Sequence, residues 1–176
     1  MLANFFFQIA SLKKLPRAGW KIKLQLKNSE SVAEHSFMMS VMAMVLSDLK
    51  HLNTEKIIKM SLLHDWAESK IGDFLPNEIT NEKKTELEEY AMTEILDDLP
   101  HKIKDDYYNI WDEYMEANSN ESRLVHELDK LEMALEAKIY EKDVDPEKIK
   151  PFIISAVEQI VDDDLKKVLI EILQKT

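Results

Sequence analysis

The chain has no cysteine and only two glycines among its 176 residues. Without cysteine, disulfides, zinc ribbons and thiol nucleophiles are excluded, which fits a cytoplasmic protein. So few glycines, beside long stretches with apolar residues every three or four positions, point to helices. Positive charge is also in deficit, because 23 Lys and Arg face 34 Asp and Glu for a formal net charge of -11. The summed field repels phosphate backbones and anionic bilayers, which argues against nucleic-acid polymers and membranes as partners. An anionic substrate would need a local cation or a metal. No run reaches the ~18 consecutive apolar residues of a spanning helix. The opening Met1-Leu2-Ala3-Asn4-Phe5-Phe6-Phe7 lacks the basic start of a secretory signal and reads as a first helix with its phenylalanines packed inward.

Hydrophobic residues at 45% and charged residues at 32% are ordinary for a globular protein, and this length suits one domain with a sizeable core. Residues about 2–14 read as a helix. From Arg17 to Lys27, Trp20, Ile22, Leu24 and Leu26 alternate with polar residues, a period of two that allows a strand-like arm. Ser31 and Glu34 have capping-box spacing, and the helix they open, about 32–50, carries the stripe Val32, His35, Met39, Met42, Leu46. Asn53-Thr54 caps a helix of about 55–71 with the stripe Ile57, Met60, His64, Ala67, Ile71, ended by Gly72 in a left-handed conformation. Charged helices follow over about 82–98 and 101–117. A helix of about 120–142 carries Leu124, Leu128, Leu131 and Leu135, with Asp129 beside that stripe. Asp145-Pro146 starts a further segment that Pro151 interrupts, and Asp162 to Lys175 forms the last helix. The expected fold is all-α in one domain, without repeats or linkers.

Buried charge is tolerated when it is paired or holds a metal. His35, the pair His64-Asp65 and Asp129 lie on or beside apolar stripes of three helices. One such histidine is more often a core residue, but four groups together form a candidate metal centre. Two imidazoles and two carboxylates suit a divalent ion, with Mn, Co, Ni, Fe, Zn or Mg left open. Coordination positions left to water and substrate would suit catalysis on a phosphoryl group. Glu68 stands one helical turn after His64, so its carboxylate overhangs the same face and is placed to act as a general base.

His35 within Ser31-Val32-Ala33-Glu34-His35-Ser36, the run His64-Asp65-Trp66-Ala67-Glu68-Ser69-Lys70-Ile71-Gly72-Asp73, Leu12-Lys13-Lys14-Leu15-Pro16-Arg17-Ala18-Gly19-Trp20 and Leu128-Asp129-Lys130-Leu131-Glu132-Met133 resemble the HD-domain phosphohydrolase superfamily, in its 5'-deoxynucleotidase branch. The similarity covers roughly residues 10–142. It implies a single HD-domain helical bundle that hydrolyses deoxyribonucleoside 5'-monophosphates with a divalent metal held by His35, His64, Asp65 and Asp129. It further implies that Glu68 directs or deprotonates the attacking water, with Asp65 counted among the catalytic groups. Arg17 would clamp the phosphate and Asp73 would bind the 3'-hydroxyl. Trp20 would pack on the sugar and exclude a 2'-hydroxyl, or belong to the core. The partner is then a small-molecule nucleotide, and family members are commonly homodimers. Two alternatives stay open, an HD phosphohydrolase acting on cyclic nucleotides, triphosphates or alarmones, and a metal-dependent nucleotide-binding module without turnover. Glu34 reads as a capping residue, Trp66 as packing, and His51, His101 and His126 as surface residues.

Overall fold

The computed structural model describes residues 1–76 and 78–175, and among these the regular structure is helical. The helices are α1 (Leu2–Ala10), α2 (Val32–Leu49), α3 (Thr54–Leu63), α4 (Glu68–Ile71), α5 (Asn81–Leu96), α6 (His101–Glu116), α7 (Asn120–Tyr140), α8 (Pro146–Gln159) and α9 (Asp163–Gln174). Helices α2, α3 and α7 pack together at the centre, α6 leans on α3 and α7, and α8 and α9 dock on α7. Met39, Ala43, Ile57, Met60, Leu124, Leu128 and Leu131 fill the space between them.

Local chemistry sets most helix starts. The Ser31 side chain accepts the Glu34 amide while the Glu34 carboxylate accepts the Ser31 amide at 2.7 Å, which completes the expected capping box. Asn53, Thr80, Ser119, Asp145 and Asp162 each accept first-turn amides in the same way. Of the three opening phenylalanines only Phe5 is buried; Phe6 and Phe7 are 60% and 80% exposed. A nine-residue helix shows the core one face, and Phe5 shares that face with Ile9 and, in the 3-10 turn Ser11–Lys14, with Leu12.

Three further expectations need correction. Between Arg17 and Lys27 there is no strand-like arm: Pro16 and Ser31 form one isolated bridge, and Gly19–Lys23 winds into a wide π-type turn. Trp20 and Leu24 are both buried and Ile22 is 54% exposed, so the segment buries residues four apart, a helical spacing. The helix expected over 55–71 is broken. After Leu63 the chain tightens, with the amides of Trp66, Glu68 and Ser69 bonding three residues back, before α4 begins. His64 and Asp65 sit in that break. Pro151 lies inside α8 without interrupting it. It faces solvent, as does Glu147 four residues earlier, while Ile149, Phe152 and Ala156 bury the opposite face, and that burial outweighs one lost hydrogen bond.

Helix α2 is long and apolar enough, by length and composition, to cross a membrane. Its buried face carries His35 and packs on α3 and α7, while Phe37, Met44, Val45 and Leu49 lie exposed on the other side.

Gly72 has a positive φ of 83°, as expected, but its ψ of 167° is extended rather than left-handed helical. That region is nearly closed to residues with a side chain. A Cβ there would meet nothing within 4 Å, so backbone conformation alone explains the glycine. Gly72→Ala is therefore expected to lower stability by about 1–3 kcal/mol in urea unfolding, and an unchanged midpoint would refute this.

Candidate metal centre

Three elements bring the predicted ligands together. α2 supplies His35, the break between α3 and α4 supplies His64 and Asp65, and α7 supplies Asp129. Ligand atoms of His35, His64 and Asp129 lie within 4.8 Å of one another. Asp65 Oδ2 is 3.0 Å from His64 Nε2 and 3.9 Å from His35 Nε2, and Asp129 Oδ1 is 3.3 Å from His35 Nε2. His35, His64 and Asp129 thus form one cluster, and Asp65 borders it through its two contacts to the imidazoles.

The far side of each imidazole is tied down. His35 Nδ1 shares a 2.5 Å contact with Glu132 Oε2, and His64 Nδ1–H donates to the Ser61 carbonyl at 2.7 Å. Such contacts put a proton on Nδ1 and aim the Nε2 lone pair at the shared centre. Both Nε2 atoms are buried without a hydrogen-bond partner, as is Glu68 Oε2. Buried polar atoms are rarely left so unless an ion or substrate completes them, so the donor set fits a divalent cation. Glu132 was assigned no role from sequence. The available signal was its position three residues after Asp129, which puts both side chains on one face of α7.

Electrostatics around the centre agree. Burial pushes the Asp65 carboxyl up, but His64, Arg17 and His35 more than offset this and hold it well below its ordinary value. Asp129 is likewise held low against its burial, by Lys130, His35 and Arg17. Burial and Arg17 push the His35 imidazole down, but Asp129 and Glu132 prevail and raise it to about 9. A proton thus competes with a metal for this nitrogen. Burial, then Asp65 and Asp73, push the Glu68 carboxyl well above its ordinary value, and a bound cation would act in the opposite direction.

Above the centre lies a cavity of about 270 Å³ lined by Arg17, Trp20, His64, Asp65, Glu68, Asp73 and Asp129 of the predicted set, with His35 beneath them. Arg17 reaches Asp65 at 3.2 Å and Asp129 at 3.6 Å. Asp73 Oδ2 accepts the Ala18 amide at 2.7 Å, which ties the segment after Arg17 to the end of α4. Trp20 is 2% exposed, donates from Nε1 to Glu30 and packs on Phe152, so it is core and cavity wall at once. Lys84, Tyr114, Lys130 and Phe152 also line the cavity and were not singled out from sequence. His126 is not a surface residue as expected: it stacks on Tyr114 at 4.2 Å and bonds the Tyr114 carbonyl. His51 and His101 are exposed, and Trp66 packs between Phe5 and Tyr107. A larger hollow of about 670 Å³ between α7 and α9 is lined by Leu135, Ile139, Val168 and Ile172. Among the described residues it carries no metal-type cluster, so the chemistry is assigned to the smaller one.

The family model described as HD domain matches residues 9–169. The human 5'-deoxynucleotidase HDDC2 is 38% identical over 141 residues, 80% of this chain and 68% of that protein. HDDC2 of Dictyostelium discoideum is 40% identical, over 79% of this chain and 77% of its own, and 5'-deoxynucleotidase YGK1 of Saccharomyces cerevisiae is 29% identical over 90% and 75%. Among solved structures, the PH0347 protein of Pyrococcus horikoshii OT3 superposes with a TM-score of 0.80 over 97% of both chains at 28% identity. A conserved hypothetical protein of Pyrococcus furiosus gives 0.79 over 98% of this chain and 99% of its own, at 27% identity.

If Glu132 holds the His35 imidazole for the metal, Glu132→Ala should weaken metal binding about 10–100-fold in competition titrations. Affinity equal to that of the unmodified chain would remove Glu132 from the site.

Proposed function

This chain belongs to the HD-domain family, and from that premise we propose that it is a metal-dependent 5'-deoxynucleotidase, releasing phosphate from deoxyribonucleoside 5'-monophosphates. The observation that carries this reading is the placement of Glu68 and Arg17. A buried carboxyl with an unpartnered oxygen and a guanidinium both border the cavity over the ligand cluster. A module that only binds has little use for a positioned base.

His35, His64, Asp65 and Asp129 would hold the divalent ion, which supplies charge neutralisation and polarisation at the phosphoryl group. Glu68 orients the attacking water and takes its proton; burial makes it a stronger base than an exposed carboxylate. Arg17, steadied by Asp65 and Asp129, turns its remaining N–H donors to the phosphate oxygens. Asp73 spends one oxygen on the Ala18 amide and offers the other to the sugar 3'-hydroxyl. Trp20, fixed by Glu30 and Phe152, occupies the volume that a 2'-hydroxyl would need. The cavity's about 270 Å³ lies at the small end of ligand sites, which favours a monophosphate over a larger alarmone.

In this reading the helices of the described residues form one domain, because α8 and α9 pack on α7 and complete the same core. The exposed apolar face of α2 supports a homodimer. A nucleotide substrate and a chain without cysteine support a cytoplasmic setting.

The test is phosphate release from deoxy- and ribonucleoside 5'-monophosphates by metal-stripped protein refilled with Mn, Co, Ni, Fe, Zn or Mg. Release should need the metal, favour deoxynucleotides, fall about 10²–10⁴-fold in Glu68→Gln and vanish in Asp129→Ala. Protein that binds metal yet releases no phosphate would overturn the proposal in favour of the binding module.

A further inference from the structure

The cavity over the metal centre has two chemically different ends. One is ionic, with Asp65, Asp129 and Arg17; the other is closed by Phe152 and Ser155 of α8. The segment Arg17 to Trp20 runs along the wall between them. Arg17 touches Asp65 at 3.2 Å, the Ala18 amide is held by Asp73 at 2.7 Å, and Gly19 and Trp20 abut Phe152. A Cβ on Gly19 would stand 3.2 Å from the Phe152 ring, so glycine lets α8 come this close. The order along the wall is thus ion cluster, Asp73, aromatic end. A deoxynucleoside monophosphate has the matching order of phosphate, sugar and base.

We infer that α8 builds the nucleobase wall of the site, with Phe152 offering apolar contact and Ser155 one hydrogen bond to the base. This rests on the nucleotidase reading and names a part of the site that the metal and phosphate groups do not explain. Ser155 lies three residues after Phe152 and so on the same face of α8, and it is half-buried. Its Oγ accepts from Gln159 Nε2 at 2.7 Å, which leaves its O–H free to donate. Lys23 stands over the Phe152 ring, 5.5 Å from its centre, at the exposed side. An aromatic ring beside a single hydroxyl fits a neutral, planar heterocycle.

The experiment compares a deoxynucleoside 5'-monophosphate with 2-deoxyribose 5-phosphate, which keeps the phosphate and sugar but has no base. Ser155→Phe places a ring where the base would lie, and Ser155→Ala removes the hydroxyl while leaving Phe152 and its packing on Trp20 in place. Each should lower kcat/KM for the nucleotide by about tenfold or more, chiefly through KM, and leave the baseless substrate unchanged. Equal losses on both substrates would mean a merely structural role and overturn the inference, as would no loss on either. Unmodified protein that turns over both substrates equally well would also overturn it while sparing the phosphatase chemistry. Unmodified protein that hydrolyses neither would refute the nucleotidase reading itself, and the base wall with it.

Discussion

Two imidazole nitrogens, Nε2 of His35 and of His64, are buried without hydrogen-bond partners beside the carboxylates of Asp65 and Asp129. In a low-dielectric interior such groups are unfavourable unless a cation completes them. Arg17 meets part of that demand, since its guanidinium reaches both carboxylates, but it satisfies neither imidazole. The rest of the architecture serves to hold these atoms at one point. α2 and α7 are long and well packed, and the break after α3 turns His64 and Asp65 to the same centre. Glu132 and the Ser61 carbonyl fix the two rings from behind.

The same few residues connect the centre to the cavity. Ser31 caps α2 and pairs with Pro16, so the segment carrying Arg17 starts at a fixed place relative to His35. Asp73 reaches that segment again through Ala18, and α8 closes it from the far side through Phe152. The ionic cluster, Asp73 and the aromatic wall are thereby each contacted by one continuous stretch of backbone, Arg17 to Trp20. Rigid support of this kind is what positioning a phosphate ester against a water requires.

Much of this was legible in the sequence because helices announce themselves by period. The stripes through His35 and His64, the capping box at Ser31 and the place of Asp129 beside Leu128 and Leu131 all follow from spacing near 3.6. What escaped depends on contacts between distant parts of the chain. The alternation from Trp20 to Leu26 looked extended, yet burial of Trp20 and Leu24 against α8 chose a helical turn. Periodicity also ran unbroken through His64, although the backbone there is tightened and broken. Pro151 looked like a stop, and packing on α7 overruled it. Glu132, Tyr114 and Phe152 are ordinary helix residues until the fold brings them to the centre or its cavity.

The central claim is that two histidines and two aspartates from three elements bind one ion. X-ray absorption on protein loaded with one equivalent of cobalt addresses it directly, because imidazole rings give multiple-scattering features that carboxylates and water do not. The account expects a mixed nitrogen and oxygen shell with two imidazoles, reduced to one in His64→Ala. A shell of oxygen alone, or one unchanged by that substitution, would contradict it.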